Sequence, residues 1–199
     1  TLPPPQMPQA LADGELDGFC AGEPWGEHAE AIGAGRRVLR SGQAWPGHPE
    51  KVLACRRDFA ALHPELAIAL TAAVLEACRW LDAAPANREQ AAHWLAAPEA
   101  IGLPVERLVT GLLPRADVPA AEALQFHAGG AANLPRQANG RWFLGQFRRW
   151  RWLSPAEGKD GNDAWLADVY RLDSYREAAT QVGVDAAVGD DATVLVAPR

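Results

Sequence analysis

A chain of 199 residues is long enough for one generous domain or one and a half small ones. Acidic residues outnumber basic ones 25 to 19, a formal net charge of −6, which argues against a general nucleic-acid binder. A content of 48% hydrophobic and 22% charged residues excludes long disorder, and the lack of any apolar run of about 18 residues excludes a membrane-spanning helix.

The chain opens Thr1-Leu2-Pro3-Pro4-Pro5 with no initiator Met, which we read as a processed product or a piece of something longer. Gln6 to Leu11 predict a short helix, closed by Asp13-Gly14. Leu16 to Ala21 read as a short buried strand running into the tight connection Gly22-Glu23-Pro24-Trp25. Residues 27–33 predict a helix, and Arg37 to Arg40 a second short strand. Gly42, Pro46, Gly47 and Pro49 predict a loop over 42–50, followed by a third strand at Val52 to Cys55.

The clearest helix is 64–84, with Pro64 suited to its first position. Leu66, Leu70, Val74, Ala77 and Leu81 recur at helical spacing and define its predicted buried face. Asn87 and Gln90 suggest a capping box ahead of a helix over 88–96. A further helix follows Pro104, through Leu113, and residues 114–140 carry little pattern. Arg141 to Leu153 read as a Trp-rich helix with Phe143, Phe147 and Trp150 on one face. Two short helices are predicted at 163–171 and 173–182, the second capped by Asp173, before a loose, small and acidic tail.

The order is that of an α/β layered domain followed by a helix-rich half. Three short strands make a poor sheet, so the chain looks in need of further strands from elsewhere. Ile occurs three times and lysine twice, at Lys51 and Lys159. Cys20, Cys55 and Cys78 lack metal spacing and read as small buried hydrophobes. No Gly-rich phosphate loop, G-x-S-x-G elbow, H-E-x-x-H or C-x-x-C occurs. Catalysis, a cofactor and a metal site therefore find no support in a local motif, and the balance leans to a binding protein.

Lys51 stands between a Pro/Gly loop and a predicted strand, where α/β proteins commonly place ligand groups. An ammonium there suits a small anion; the alternative is a surface lysine paired with Glu50. Trp25 either lines a pocket or packs in the core. Glu23 needs a partner, either backbone N–H groups or a cleft. His48 reads as a loop residue. Trp142, Trp150 and Trp152 interleave with Arg148, Arg149 and Arg151; the acidic net charge favours a packed helix with a basic outer face over nucleic-acid stacking.

These segments carry a resemblance. Pro4-Pro5-Gln6-Met7, Asp17-Gly18-Phe19-Cys20, Gly22-Glu23-Pro24-Trp25, and Trp45 with His48-Pro49-Glu50-Lys51-Val52-Leu53 occur in order. Arg57-Asp58, Trp142-Phe143-Leu144, Arg149-Trp150 and Tyr175-Arg176-Glu177-Ala178-Ala179 follow. Together, from about residue 3 to about 183, the chain resembles the nitrate-binding proteins of ABC transporters, related to bicarbonate- and sulfonate-binding proteins, over their C-terminal half.

The resemblance implies an α/β fold, part of a two-lobed periplasmic-binding-protein-like (type II) architecture that closes on its anion. It implies that residues 1–25 end the second lobe and form the hinge. Residues 26–140 would return to the first lobe, 141–183 form C-terminal helices, and 184–199 a loose tail. It further implies Lys51 as the cationic contact to nitrate or nitrite, with Glu23 and Trp25 as ligand-binding residues and the other contacts upstream. Bicarbonate-binding relatives use calcium instead of that charge, so Lys51 favours nitrate or nitrite. The implied partner is an ABC permease, in the periplasm or at a membrane anchor. The alternative is a cytoplasmic nitrate sensor that controls an RNA-binding antiterminator. An enzyme on the same fold, such as a pyrimidine-precursor synthase, would need a Cys or His constellation.

Overall fold

The computed structural model describes residues 1–120, 122–153 and 165–185. They form two compact units, one of residues 1–46 and 83–124, the other of 47–82 and 125 onward. Each is built from helices, and among the described residues there is no β-strand.

In the first unit, a 3-10 turn at Pro4–Gln6 leads into α1 (Met7–Ala12). Then come α2 (Trp25–Ala31) and α3 (Ser41–Ala44). Past the second unit's α4 (Arg57–Leu62) and most of α5 (Pro64–Ala83), the chain returns as α6 (Pro85–Leu95) and α7 (Val105–Leu112). α6 packs on α7, α1 on α2 and α2 on α7. Small residues allow the close approach: Ala10, Ala29, Ala91 and Ala92 are buried, with Leu108 as the large filler.

Arg88, 7% exposed, is the buried charge of this unit. Its guanidinium donates to the carbonyl of Leu112 at 2.7 Å and to that of Leu124 at 3.2 Å. It therefore serves as a polar pin between α6 and the end of α7, satisfying a carbonyl that the α7 C-terminus leaves without an intrahelical partner and a second one in the loop beyond.

The second unit centres on α5 and α10 (Leu172–Gln181), with α8 (Gln137–Arg149) and α9 (Leu166–Val169) beside them in sequence. Ile68, Ala72 and Leu75 meet Leu134, Tyr175, Ala178, Ala179 and Val184 in one core. The Tyr175 hydroxyl is satisfied by the Gly130 carbonyl at 3.1 Å. α8 and α9 touch at Gly140, where a Cβ would stand 2.6 Å from Tyr170 Cε2 and 2.9 Å from Leu166 Cδ2.

Several expectations need correction. Leu16–Ala21, Arg37–Arg40 and Val52–Cys55 are not strands. Arg40 and Arg56 hold extended dihedrals, but a strand also needs a neighbouring ladder. Among the described residues, no backbone hydrogen bond ties 51–55 to another segment. Residues 42–50 are not all loop, since Ser41–Ala44 closes a helical turn. Cys20 and Cys55 are exposed rather than buried, because nothing covers these irregular segments; Cys78 is half-buried.

The buried face of α5 is not the predicted one. Leu66, Leu70 and Val74 remain 50%, 44% and 40% exposed, whereas Leu75 is 1% exposed. Residues two apart lie about 200° apart around a helix, so Ile68 and Ala72 face away from Leu66 and Leu70. Both stripes are apolar at helical spacing, and periodicity cannot choose between them.

Smaller shifts follow from helix ends. α6 starts at Pro85, a good first helical residue, so Asn87 lies inside the first turn rather than at a cap. α10 has Arg171, not Asp173, at its N-cap position. α8 ends at Arg149, which leaves Trp150 and Trp152 beyond it, largely exposed although they pack on Phe147 and on each other. The Phe143–Phe147–Trp150 face is nevertheless present, with ring centroids 6.3 and 6.5 Å apart. The predicted helix 163–171 is seen only as Leu166–Val169, and its start at 163–164 lies outside the described residues. Of the predicted tail, Val184 is buried in the second unit's core, and 186–199 lie outside the described residues.

Candidate functional site

The Gly22–Trp25 connection turns the chain into α2 through a cis Glu23–Pro24 bond. α2 carries Glu27 and Glu30 at four and seven residues from Glu23, which puts three carboxylates on one side. Arg37 gathers them: its Nη2 lies 3.2 Å from Glu23 Oε1, 3.0 Å from Glu27 Oε2 and 3.6 Å from Glu30 Oε2. Arg115 adds a second cation 3.8 Å from Glu27. Glu23 also accepts the Glu27 backbone N–H at 3.4 Å. Glu23 thus finds both backbone and a charge, and Arg37 is the partner that sequence reading missed. The legible signal was the i, i+4, i+7 glutamate spacing, which calls for a cation. Trp25 is the first residue of α2 and is half-buried.

Lys51 belongs to the second unit. Its side chain is 78% exposed, and its Nζ lies 3.1 and 3.2 Å from the two Glu50 oxygens. Beside it, His48 Nδ1 lies 3.0 Å from the Pro49 carbonyl. Glu23 and Trp25 are therefore held in one unit and Lys51 in the other.

A second cluster was not foreseen. The Asp82 carboxylate accepts the backbone N–H groups of Phe126, His127 and Ala128, the shortest 2.7 Å. Asn133 bonds the Phe126 carbonyl at 2.9 Å and His127 Nδ1 at 3.0 Å. Cys78 stands beside Asn133 and Asp82, and burial pushes its thiol pKa up. An activated cysteine needs the opposite shift. This Cys, His and Asp neighbourhood therefore holds the 126–133 loop on the end of α5 and lacks the mark of a nucleophile.

A cleft of about 200 Å³ in the second unit is lined by Pro64, Ile68, Arg171, Asp173, Ser174 and Glu177, among others. Arg171 and Asp173 neutralise each other there through bonds of 2.9 and 2.7 Å. Lys51 does not line it. Among the described residues, no group of three His, Cys, Asp or Glu side chains stands where it could hold a metal ion.

Residues 1–96 match the model of the NMT1-like family. The crystal structure of the periplasmic nitrate-binding protein NrtA from Synechocystis superposes with a TM-score of 0.82 at 30% identity. That superposition uses 94% of this chain and 49% of NrtA. The chain is 34% identical over 199 residues to the nitrate import ATP-binding protein NrtC of Synechocystis, covering 95% of this chain and 28% of NrtC. It is 32% identical over 198 residues to the bicarbonate-binding protein CmpA of Synechococcus elongatus, covering 94% of this chain and 44% of CmpA.

These similarities define a class: the chain has the fold of part of a periplasmic solute-binding protein. More particularly, it is homologous to a portion of the nitrate- and bicarbonate-binding proteins NrtA and CmpA, and to a portion of the transport ATP-binding proteins NrtC and CmpC. It spans less than half the length of the curated relatives and about half of the solved one. Among the described residues, no helix is long and apolar enough to cross a membrane.

Proposed function

We propose that the chain is part of the anion-binding component of an ABC-type importer, taking nitrate or nitrite, with Lys51 as the cationic contact. The observation that carries this reading is the state of Lys51 itself. Its one ion-pair partner among the described residues is the adjacent Glu50, on an exposed surface. Such a pair is worth about 0–1 kcal/mol, so the ammonium exchanges Glu50 for an incoming anion at little cost. Once water is excluded by a closing cleft, the same charge acts far more strongly on its ligand.

Glu23 and Trp25 fit the proposal in supporting roles. Glu23 shares Arg37 with Glu27 and Glu30, so its part is to fix the turn that carries Trp25 rather than to meet the anion. Trp25 offers apolar surface, which suits a planar, weakly hydrated monoanion. Nitrate accepts hydrogen bonds and donates none, whereas bicarbonate also donates one. A lysine supplies donors only, which matches nitrate and nitrite. Binding would bias a closing equilibrium, and a membrane permease would read the closed state.

A second reading of the partner has its own observation, the 34% identity to NrtC. There the same module would belong with an ATP-binding subunit and report the anion to it. Nitrate binding is expected on both readings.

The test is a chimera in which this chain replaces the matching half of Synechocystis NrtA. Calorimetric titration should show nitrate and nitrite binding, and bicarbonate at least about tenfold weaker, a difference of about 1.4 kcal/mol. A folded chimera that prefers bicarbonate would refute the substrate assignment.

A further inference from the structure

We propose that the aromatic and basic turn at the end of α8 docks on an anionic lipid surface. Trp150 and Trp152 enter the headgroup layer, and Arg149 and Arg151 meet the lipid phosphates. The proposal goes beyond the anion-binding reading and uses none of its residues.

Residues 136–153 carry five arginines, Arg136, Arg141, Arg148, Arg149 and Arg151, and no Asp or Glu, in a chain of net charge −6. Positive charge is thus gathered in one stretch and the remainder is acidic. A basic cluster of this kind is drawn to anionic lipid. Within it, Trp150 and Trp152 are 50% and 71% exposed, and they alternate with Arg149 and Arg151, both exposed. Trp favours the membrane–water interface because its ring is apolar and its N–H polar. A long Arg side chain reaches from there to a phosphate.

The turn is built rather than frayed. The Trp152 N–H donates to the Phe147 carbonyl at 2.8 Å and the Arg151 N–H to the Arg148 carbonyl at 3.0 Å, the two bonds of a Schellman cap. Arg151 takes the left-handed position of that cap, at φ 61°, where glycine is the favoured residue. A charged side chain is therefore kept where the backbone favours none. The same cap sets Trp152 on Phe147, with ring centroids 5.6 Å apart and 25° between planes, and Trp150 5.2 Å from Trp152.

Those ring contacts choose the partner. Nucleic-acid bases need free ring faces to stack on, and one face of Trp152 already lies on Phe147. A protein partner would need a pocket shaped to the exposed indoles, whereas a lipid headgroup layer yields to them.

The experiment sediments the chain with vesicles of equal parts phosphatidylglycerol and phosphatidylcholine, in nitrate-free buffer at low salt. Binding is expected to be at least about tenfold tighter than to phosphatidylcholine alone and to weaken as salt rises. Arg149→Gln with Arg151→Gly should weaken it at least about tenfold, since two charges go while glycine preserves the cap. Trp150→Ala with Trp152→Ala should also weaken it at least about tenfold. Helical circular dichroism should be unchanged in both. If the tryptophan pair loses helicity, the arginine pair decides. No binding to the anionic vesicles, equal binding to phosphatidylcholine, or unchanged binding in the folded variants would overturn the proposal. So would tighter binding to a single-stranded oligonucleotide than to the vesicles, which would mark a nucleic-acid surface instead.

Discussion

Asp173 shows how local charge acts in this chain. The Arg171 guanidinium, bonded to both of its oxygens, lowers its pKa from 3.8 to about 2. A carboxylate with a lowered folded-state pKa adds stability above pH about 4 and loses it as pH falls toward 2. The pair is largely exposed, so solvent screening keeps its worth below about 1 kcal/mol. NMR titration of the Asp173 carboxyl should show a midpoint near 2, and Asp173→Asn should cost under about 1 kcal/mol in urea denaturation at pH 7. A midpoint near 4 would mean that the pair does not persist in solution.

At this scale the sequence was partly legible. Glu50 as the alternative partner of Lys51 could be read from adjacency, and the structure has that pair. Arg37 as the hub for Glu23, Glu27 and Glu30 could not, because a loop of unknown path separates it from α2. The exposed Cys20 and Cys55 contradict a composition rule. Cysteine is buried on average, but only where something is there to bury it.

Elements were legible wherever one turn signal or one stripe dominated. α1, α2, α5, α7 and α10 lie close to their expected positions because Pro, Gly and apolar spacing agreed there. The buried side of α5 was not legible, since two apolar stripes compete and only the packing of α10 decides between them. The three predicted strands failed for a related reason. Strand character in Val38-Leu39 or Val52-Leu53 is a statement about a neighbour, and no neighbour pairs with them among the described residues.

Two substitutions test the packing between elements. Gly140→Ala puts a Cβ within 2.6 Å of Tyr170, a clash that should cost about 1–3 kcal/mol. Thermal unfolding read by circular dichroism measures it, and an unchanged melting temperature would show that α9 moves freely against α8. Arg88→Leu keeps the bulk but removes the donors to Leu112 and Leu124. Leaving those carbonyls without partners should cost about 2–3 kcal/mol, seen as a lower urea midpoint. A neutral result would mean that water replaces the guanidinium.

For the whole molecule, the fold match is the widest observation. Among the described residues the chain is built from helices, Val38, Leu39, Val52 and Leu53 are exposed, and 94% of it superposes on 49% of NrtA. The family was legible from ordered motifs between Pro4 and Ala179, although no single one of them is specific. The ligand is harder to read, since relatives named for nitrate and for bicarbonate are similarly distant, at 30% and 32% identity. Lys51 is where the two chemistries should part.

The most direct measurement is therefore calorimetric nitrate titration of the NrtA chimera carrying this chain, with Lys51 and with Lys51→Ala. Loss of a charge-assisted contact should weaken nitrate binding by about 1.5–3 kcal/mol, roughly ten- to a hundredfold. The unfolding midpoint without nitrate should be unchanged, because Lys51 is exposed and pairs only weakly with Glu50. Equal nitrate affinity in the two forms would contradict the assignment of Lys51 as the anion's cationic contact.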